Sequence, residues 1–301
     1  MKKTCEISEI FVSLEGEGPY TARPTAYIRF ARCQFTCAGF NNPTHECDAK
    51  GYAPLGFDPA AYKSLNEIPL VTKGCDSQYA VNPTFAHMWE KLTIDEIAER
   101  LRAIIPHGQW VHPETGLPVI LSLTGGEPTL HWKRFNELLN HPFISQCKHI
   151  LVETNCAVPL TWELIGDANE WLAKDETRRW TWSNSPKLSA SGEPWDKAVR
   201  PEIAAKQLMV TGAEFKNQVD QYFKFVCGPV EEQFDEVAKA METYYTVEQN
   251  SKKPNVYIMP EACQQSDQAS IAQQVAKMCM DRGYLYCHRL HLELFGNGVG
   301  T

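Results

Sequence analysis

The sequence predicts an α/β protein whose strands form an open or partial parallel β/α barrel. Short apolar or alternating runs recur between helix-like segments along most of the chain. Such strand–helix alternation implies a parallel sheet joined by right-handed crossovers. A short polar motif also follows most of the expected strands. That gathers the motifs at the carboxyl edge, where sheets of this kind carry their reactive groups.

Residues 6–13 (EISEIFVS) read as a strand, and LEGEGPYTARP after them as a turn. Residues 25–31 (TAYIRFA) alternate and form a second strand, which delivers Cys33 and Cys37 at its end. Residues 38–74 are rich in Asn, Pro, Gly and Asp and lack periodicity. A loop of that length inside a compact domain usually has a function, and we read it as an insertion in a single domain spanning 1–301. Thr93 is an expected N-cap for a helix over 94–105, with Glu96 completing a capping box. Strands are expected at 118–123 (ending in TGGEP), 148–152 (ending in ETN) and 178–184 (ending in SPK), with a helix around 129–140. Then come helix 196–208, strand 221–227, helix 230–245, strand 255–259, helix 266–282 and a last strand over 285–292.

The formal net charge of −8 gives no basic surface for direct nucleic-acid binding. No apolar run approaches the roughly 20 residues that span a bilayer, and MKKTCEISEIFVSLEGEG lacks the apolar stretch of a secretion signal. A cytoplasmic protein acting on a small molecule is the expectation. Eleven cysteines, an odd number, argue against a disulfide framework in a reducing compartment. Most are expected to be small hydrophobes in the core. Cys33 and Cys37, separated by three residues, place two thiolates in one tight loop, and thiolates are the ligands iron–sulfur clusters prefer.

The segment SLEGEGPYTARPTAYIRFARCQFTC resembles the amino-terminal part of 7-carboxy-7-deazaguanine synthases (QueE), a family of the radical S-adenosylmethionine (SAM) superfamily. That family's cluster motif is C-x3-C-x2-C, and here Phe40 stands at the third cysteine position. Cys75, in KGCDSQYA, matches the family's continuation with Asp, a hydroxyl residue and an aromatic better than Cys47 in HECDAKGY. The resemblance therefore implies a 4Fe-4S cluster on Cys33, Cys37 and Cys75, with 38–74 inserted between the second and third ligands. Three thiolates leave one iron open to SAM. A closed zinc site drawn from Cys33, Cys37, Cys47, Cys75 or His45 is the competing reading. The insertion and the displaced cysteine resemble longer phage-encoded members of the family; in that setting the product would feed DNA modification in the host cytoplasm, and queuosine in tRNA is the other destination the resemblance allows.

The resemblance assigns SAM to Gly125, Gly126 and Glu127 of TGGEP, to Glu153 and Asn155 of ETN, and to Ser185 and Lys187 of SPK. It implies 6-carboxy-5,6,7,8-tetrahydropterin as substrate, with Glu17 on the pterin edge, Arg29 on the carboxylate and His291 facing the ring. Glu15 stands where the family often has Gln. Ser77 would give an oxygen to Mg2+. His288 rivals His291. Flavodoxin or ferredoxin is the implied electron donor, and a homodimer is an open expectation. Two alternatives are kept: a radical SAM activase of a partner protein, and a zinc-stabilised scaffold without catalysis.

Overall fold

The computed structural model describes residues 3–211, 218–247, 254–296 and 298–300. Among these described residues nine strands build one sheet: β1 (Cys5–Leu14), β2 (Pro24–Phe30), β3 (Glu90–Leu92), β4 (Ile120–Gly125), β5 (His149–Thr154), β6 (Arg179–Asn184), β7 (Val219–Cys227), β8 (Asn255–Pro260) and β9 (Leu285–Tyr286). Their order is β3-β1-β2-β4-β5-β6-β7-β8-β9, and the sheet does not close. The longer helices are α2 (Ile94–Ile104), α4 (Trp162–Ala173), α7 (Glu231–Val247) and α8 (Gln265–Arg282). Shorter ones are α1 (Gln78–Val81), α3 (Phe135–Asn140), α5 (Trp195–Ala198), α6 (Pro201–Gln207) and α9 (Leu290–Phe295).

The expected α/β class and open parallel sheet are present from β2 to β9. β1 departs from it, running antiparallel to both β2 and β3. The reason is length: 15–23 is shorter than the dozen or so residues a parallel crossover needs.

Period-two alternation sorts every parallel strand onto two faces. Ile28 and Phe30 of β2, Leu121 and Leu123 of β4, Ile150 and Val152 of β5, Trp180 and Trp182 of β6, and Phe223 and Phe225 of β7 turn to the main core beneath the helices. Full burial of one such side chain is worth about 1.5–3 kcal/mol. On the other face lie Ile120, Leu151, Tyr222, Tyr257 and Met259, a second apolar cluster. Further along these same faces the residues become Arg29, Thr124, Glu153, Ser183 and Lys224, all lining one cavity. An apolar plug thus gives way to polar groups toward the carboxyl edge.

Helix α2 carries the expected capping box, with Thr93 and Glu96 bonded reciprocally, worth about 1 kcal/mol. Four expectations need correcting. The helix around 129–140 begins as a 3-10 segment, Pro128–Arg134, before α3. The helix over 196–208 is broken before Pro201, whose ring disfavours helix in the preceding residue. The strand over 285–292 shrinks to Leu285–Tyr286, because Arg289 N–H donates to Gln268 and Leu290 N–H to the Gly16 carbonyl rather than to β8. Helix α4, capped by Thr161, was not anticipated at all.

Candidate active site

Beyond β2 the chain turns sharply at Arg32, whose N–H donates to the Ala80 carbonyl at 2.7 Å. The Cys33 loop is then fixed from several sides. Phe35 N–H donates to Cys33 Sγ at 3.4 Å and Asn155 Nδ2 at 3.5 Å. Glu193 Oε1 accepts from Thr36 N–H and Cys37 N–H at 2.9 and 2.8 Å. That carboxylate stabilises a left-handed turn at Cys37 (φ 47°), a conformation uncommon outside glycine.

The insertion returns to this loop. Gly74 N–H donates to the Phe40 carbonyl at 2.7 Å, so Cys75 arrives where Cys37 left. Cys33, Cys37 and Cys75 pack in one patch with Phe35, Phe40, Ala157 and Ala198, and all three line the cavity. Burial pushes the Cys33 and Cys75 thiols up to about 12 and Cys37 well above its ordinary value. Cys47 is exposed and its thiol donates to the His45 carbonyl. Among the described residues, no three His, Cys, Asp or Glu side chains converge as ligands of a single ion would. Cluster cysteines hold separate irons rather than one, so the two geometries differ.

The glycines of TGGEP do more than border the cavity. A Cβ on Gly125 would meet the backbone of Phe30, and one on Gly126 that of Arg32. Their bareness lets the end of β4 lie directly against the strand that delivers Cys33. Glu127 differs from the expectation. It is fully buried, is absent from the cavity lining, and accepts from Thr129 N–H (3.1 Å), Thr129 Oγ1 (2.6 Å), Thr154 Oγ1 (2.8 Å) and Asn155 N–H (2.8 Å). It is a strut between the ends of β4 and β5. Asn155 lines the cavity, as do Ser185 and Lys187, whose ammonium donates to Ser185 Oγ at 3.1 Å.

The other end of the cavity is densely charged. Lys224 pairs with Glu17 and lies 4.0 Å from Glu153, whose Oε1 accepts from Ser122 Oγ at 3.0 Å. Arg289 lies 3.3 Å from Glu17 and donates to Asp76 at 2.6 Å. Burial opposes the charge on Glu17, but Lys224 and Arg289 outweigh it and hold the carboxyl far below its usual range. Glu15 accepts from Tyr27 Oη at 3.2 Å and from Glu17 N–H at 3.3 Å. Arg29 donates to Glu9 at 2.8 Å and to Ser77 Oγ at 3.2 Å. His291 lines the cavity and touches Gly16, and burial lowers its ring to about 4, so it is neutral at pH 7. His288 lies off the cavity and contacts Glu293 at 2.8 Å.

The fold therefore brings Glu15, Glu17, Arg29, Ser77, Gly125, Gly126, Glu153, Asn155, Ser185, Lys187, His291 and the three cysteines around one cavity of about 220 Å3. Lys224 and Arg289 were missed. The signal for Lys224 was its place in QYFKFVC: alternation puts it on the face opposite Phe223 and Phe225.

No protein-family model matches the chain, and no curated protein matches it. Among solved structures, that of QueE from Escherichia coli is similar over 96% of this chain and 95% of that chain, with 15% identity and a TM-score of 0.48.

Proposed function

We propose that this chain is a radical SAM enzyme that converts 6-carboxy-5,6,7,8-tetrahydropterin to 7-carboxy-7-deazaguanine, for 7-deazaguanine modification of nucleic acid. One observation carries the reading: Cys75, distant in sequence from the Cys33–Cys37 loop, borders one cavity with those two cysteines and with the motifs that end β4, β5 and β6.

The donor set fits a 4Fe-4S cluster. Three thiols in a buried patch match a soft-metal site, and Cys47 is too exposed and remote to make a fourth. Asn155 Nδ2–H would moderate the charge on Cys33. SAM would lie against Gly125, Gly126, Glu153, Asn155, Ser185 and Lys187, which border the same space. When bound, cluster and SAM supply the one-electron chemistry that removes a substrate hydrogen. Mg2+ fits less well. Ser77 Oγ already accepts from Arg29, and Asp76 is paired with Arg289, so the ion would compete with two guanidiniums.

The chain's own residues bind and orient. Arg29 uses two of its five N–H donors on Glu9 and Ser77, leaving others for a substrate carboxylate. Glu17, kept anionic by Lys224 and Arg289, accepts from the amino edge of a pterin. Neutral His291 holds one proton and one lone pair beside it. Substrate and product differ by ammonia alone, so the conversion consumes no oxidant.

The test is anaerobic reconstitution with iron and sulfide, then incubation with SAM, reductant and the carboxy-tetrahydropterin. An iron–sulfur absorbance band and 7-carboxy-7-deazaguanine in the product mixture are expected. Colourless protein that retains zinc, or a coloured protein that leaves the pterin untouched, would overturn the proposal.

A further inference from the structure

Glu15 and Glu17 are two residues apart and border the same cavity, yet their surroundings differ. Glu17 has two cationic partners, Lys224 and Arg289. Glu15 is 4% exposed, and its hydrogen bonds come from neutral donors, Tyr27 Oη and Glu17 N–H. The nearest cations are already engaged: Lys224 by Glu17 and Glu153, Arg289 by Glu17 and Asp76.

We infer that Glu15 is carried as a neutral carboxylic acid and, beside the anionic Glu17, reads a ring edge that presents a carbonyl next to N–H and amino donors, as a 2-amino-4-oxo pyrimidine ring does. The inference rests on the proposed function for its ligand class and adds the residue that selects within it.

Three carboxyls, Glu15, Glu17 and Glu153, surround one ammonium, Lys224. A third buried carboxylate would lack a counter-charge, and an unpaired buried charge takes up a proton instead. The groups facing Glu15 come from every neighbouring element: Glu17 from its own loop, Tyr27 from β2, Glu153 from β5, Tyr222 and Lys224 from β7, and Cys287 beyond β9. Burial holds Tyr27 and Tyr222 well above their ordinary values and Cys287 at about 12, so these three are neutral. What remains, with Arg289 and Asp76 beside them, is three carboxylates, Glu17, Glu153 and Asp76, against two cations, Lys224 and Arg289. In that setting burial and Glu153 raise Glu15 to about 8.

A protonated Glu15 supplies one O–H donor, which a ring carbonyl can accept. Glu17 has about four lone-pair sites, so its two cations leave room for ring N–H and amino donors. Replacing the carbonyl by an amino group would set donor against donor and leave both unsatisfied in a buried site.

The full chain, purified anaerobically, is titrated calorimetrically with 7-carboxy-7-deazaguanine and with its 2,6-diamino counterpart, in which an amino group replaces the ring carbonyl. At about pH 7 the lactam is expected to bind at least about tenfold tighter. Its affinity should fall about tenfold from about pH 7 to about pH 9, as a carboxyl near 8 loses its proton. Glu15→Gln, neutral at every pH, should abolish that fall and bind the lactam about tenfold tighter than the parent chain at about pH 9. Equal binding of the two rings, an undiminished fall in Glu15→Gln, or binding of neither ring overturns the inference. Product formation is scored separately. A chain that turns over without discriminating loses this inference and keeps the proposed function; one that discriminates without a cluster does the reverse.

Discussion

At one end of the cavity three thiols sit among Phe35, Phe40, Ala157 and Ala198. At the other, Glu15, Glu17 and Glu153 crowd around Lys224, with Arg29, Arg289, Asp76 and His291 close by. The first end is apolar and soft, the second is polar and closely paired. A cluster needs thiolates and a shell that limits water; a flat polar ring needs donors and acceptors at fixed places. The contrast teaches that the two halves should fail differently when altered.

The largest effect is expected at the thiol end. Cys75→Ala should abolish cluster binding, whereas Cys47→Ala should keep the full iron content and absorbance of the reconstituted protein. Loss of the cluster in Cys47→Ala would break the division between the two ends of the cavity. Next is the charged end. Lys224→Met would leave Glu17 and Glu153 without their shared cation, and breaking a buried pair by removing one partner costs about 3–5 kcal/mol. Denaturant unfolding measures that loss; a change below about 1 kcal/mol would mean the carboxylates are solvated and the end is not closely paired. The smallest effect is Phe35→Leu, back at the thiol end, a partial large-to-small change expected to cost about 1–2 kcal/mol in the same assay. A cost matching that of Lys224→Met would erase the contrast.

The framework was legible where local rules and tertiary packing agree. Thr93 and Glu96 announce α2 because capping is a local property; β4, β5 and β8 read as largely apolar runs because parallel strands are covered on both faces, and β6 and β7 read by their alternation. The last strand was overextended because LYCHRLHL alternates like a strand, while its pairing is decided by Gln268 and Gly16, distant in sequence. In the site, motifs at strand ends were readable, since the end of a parallel strand has a fixed address in the fold. Arg289 was not, because it acts through partners contributed by other segments, and for Lys224 alternation gives the face but not the carboxylates it meets. At Glu127 a carboxylate beside two glycines suits a ligand or a strut equally in sequence, and its four protein donors are what show it bracing β4 against β5.

The hydrogen bond from Gly74 to Phe40 has a consequence for how this chain can vary. Because the detour starts and finishes at the same spot, its length is uncoupled from the position of Cys75. Closing a flexible loop twice as long costs only about 0.6 kcal/mol more. The exposed stretches of residues 41–73 can thus drift in size, or be trimmed by an engineer, while both stumps stay joined and the buried Tyr52, Ala53, Leu65 and Val71 are kept.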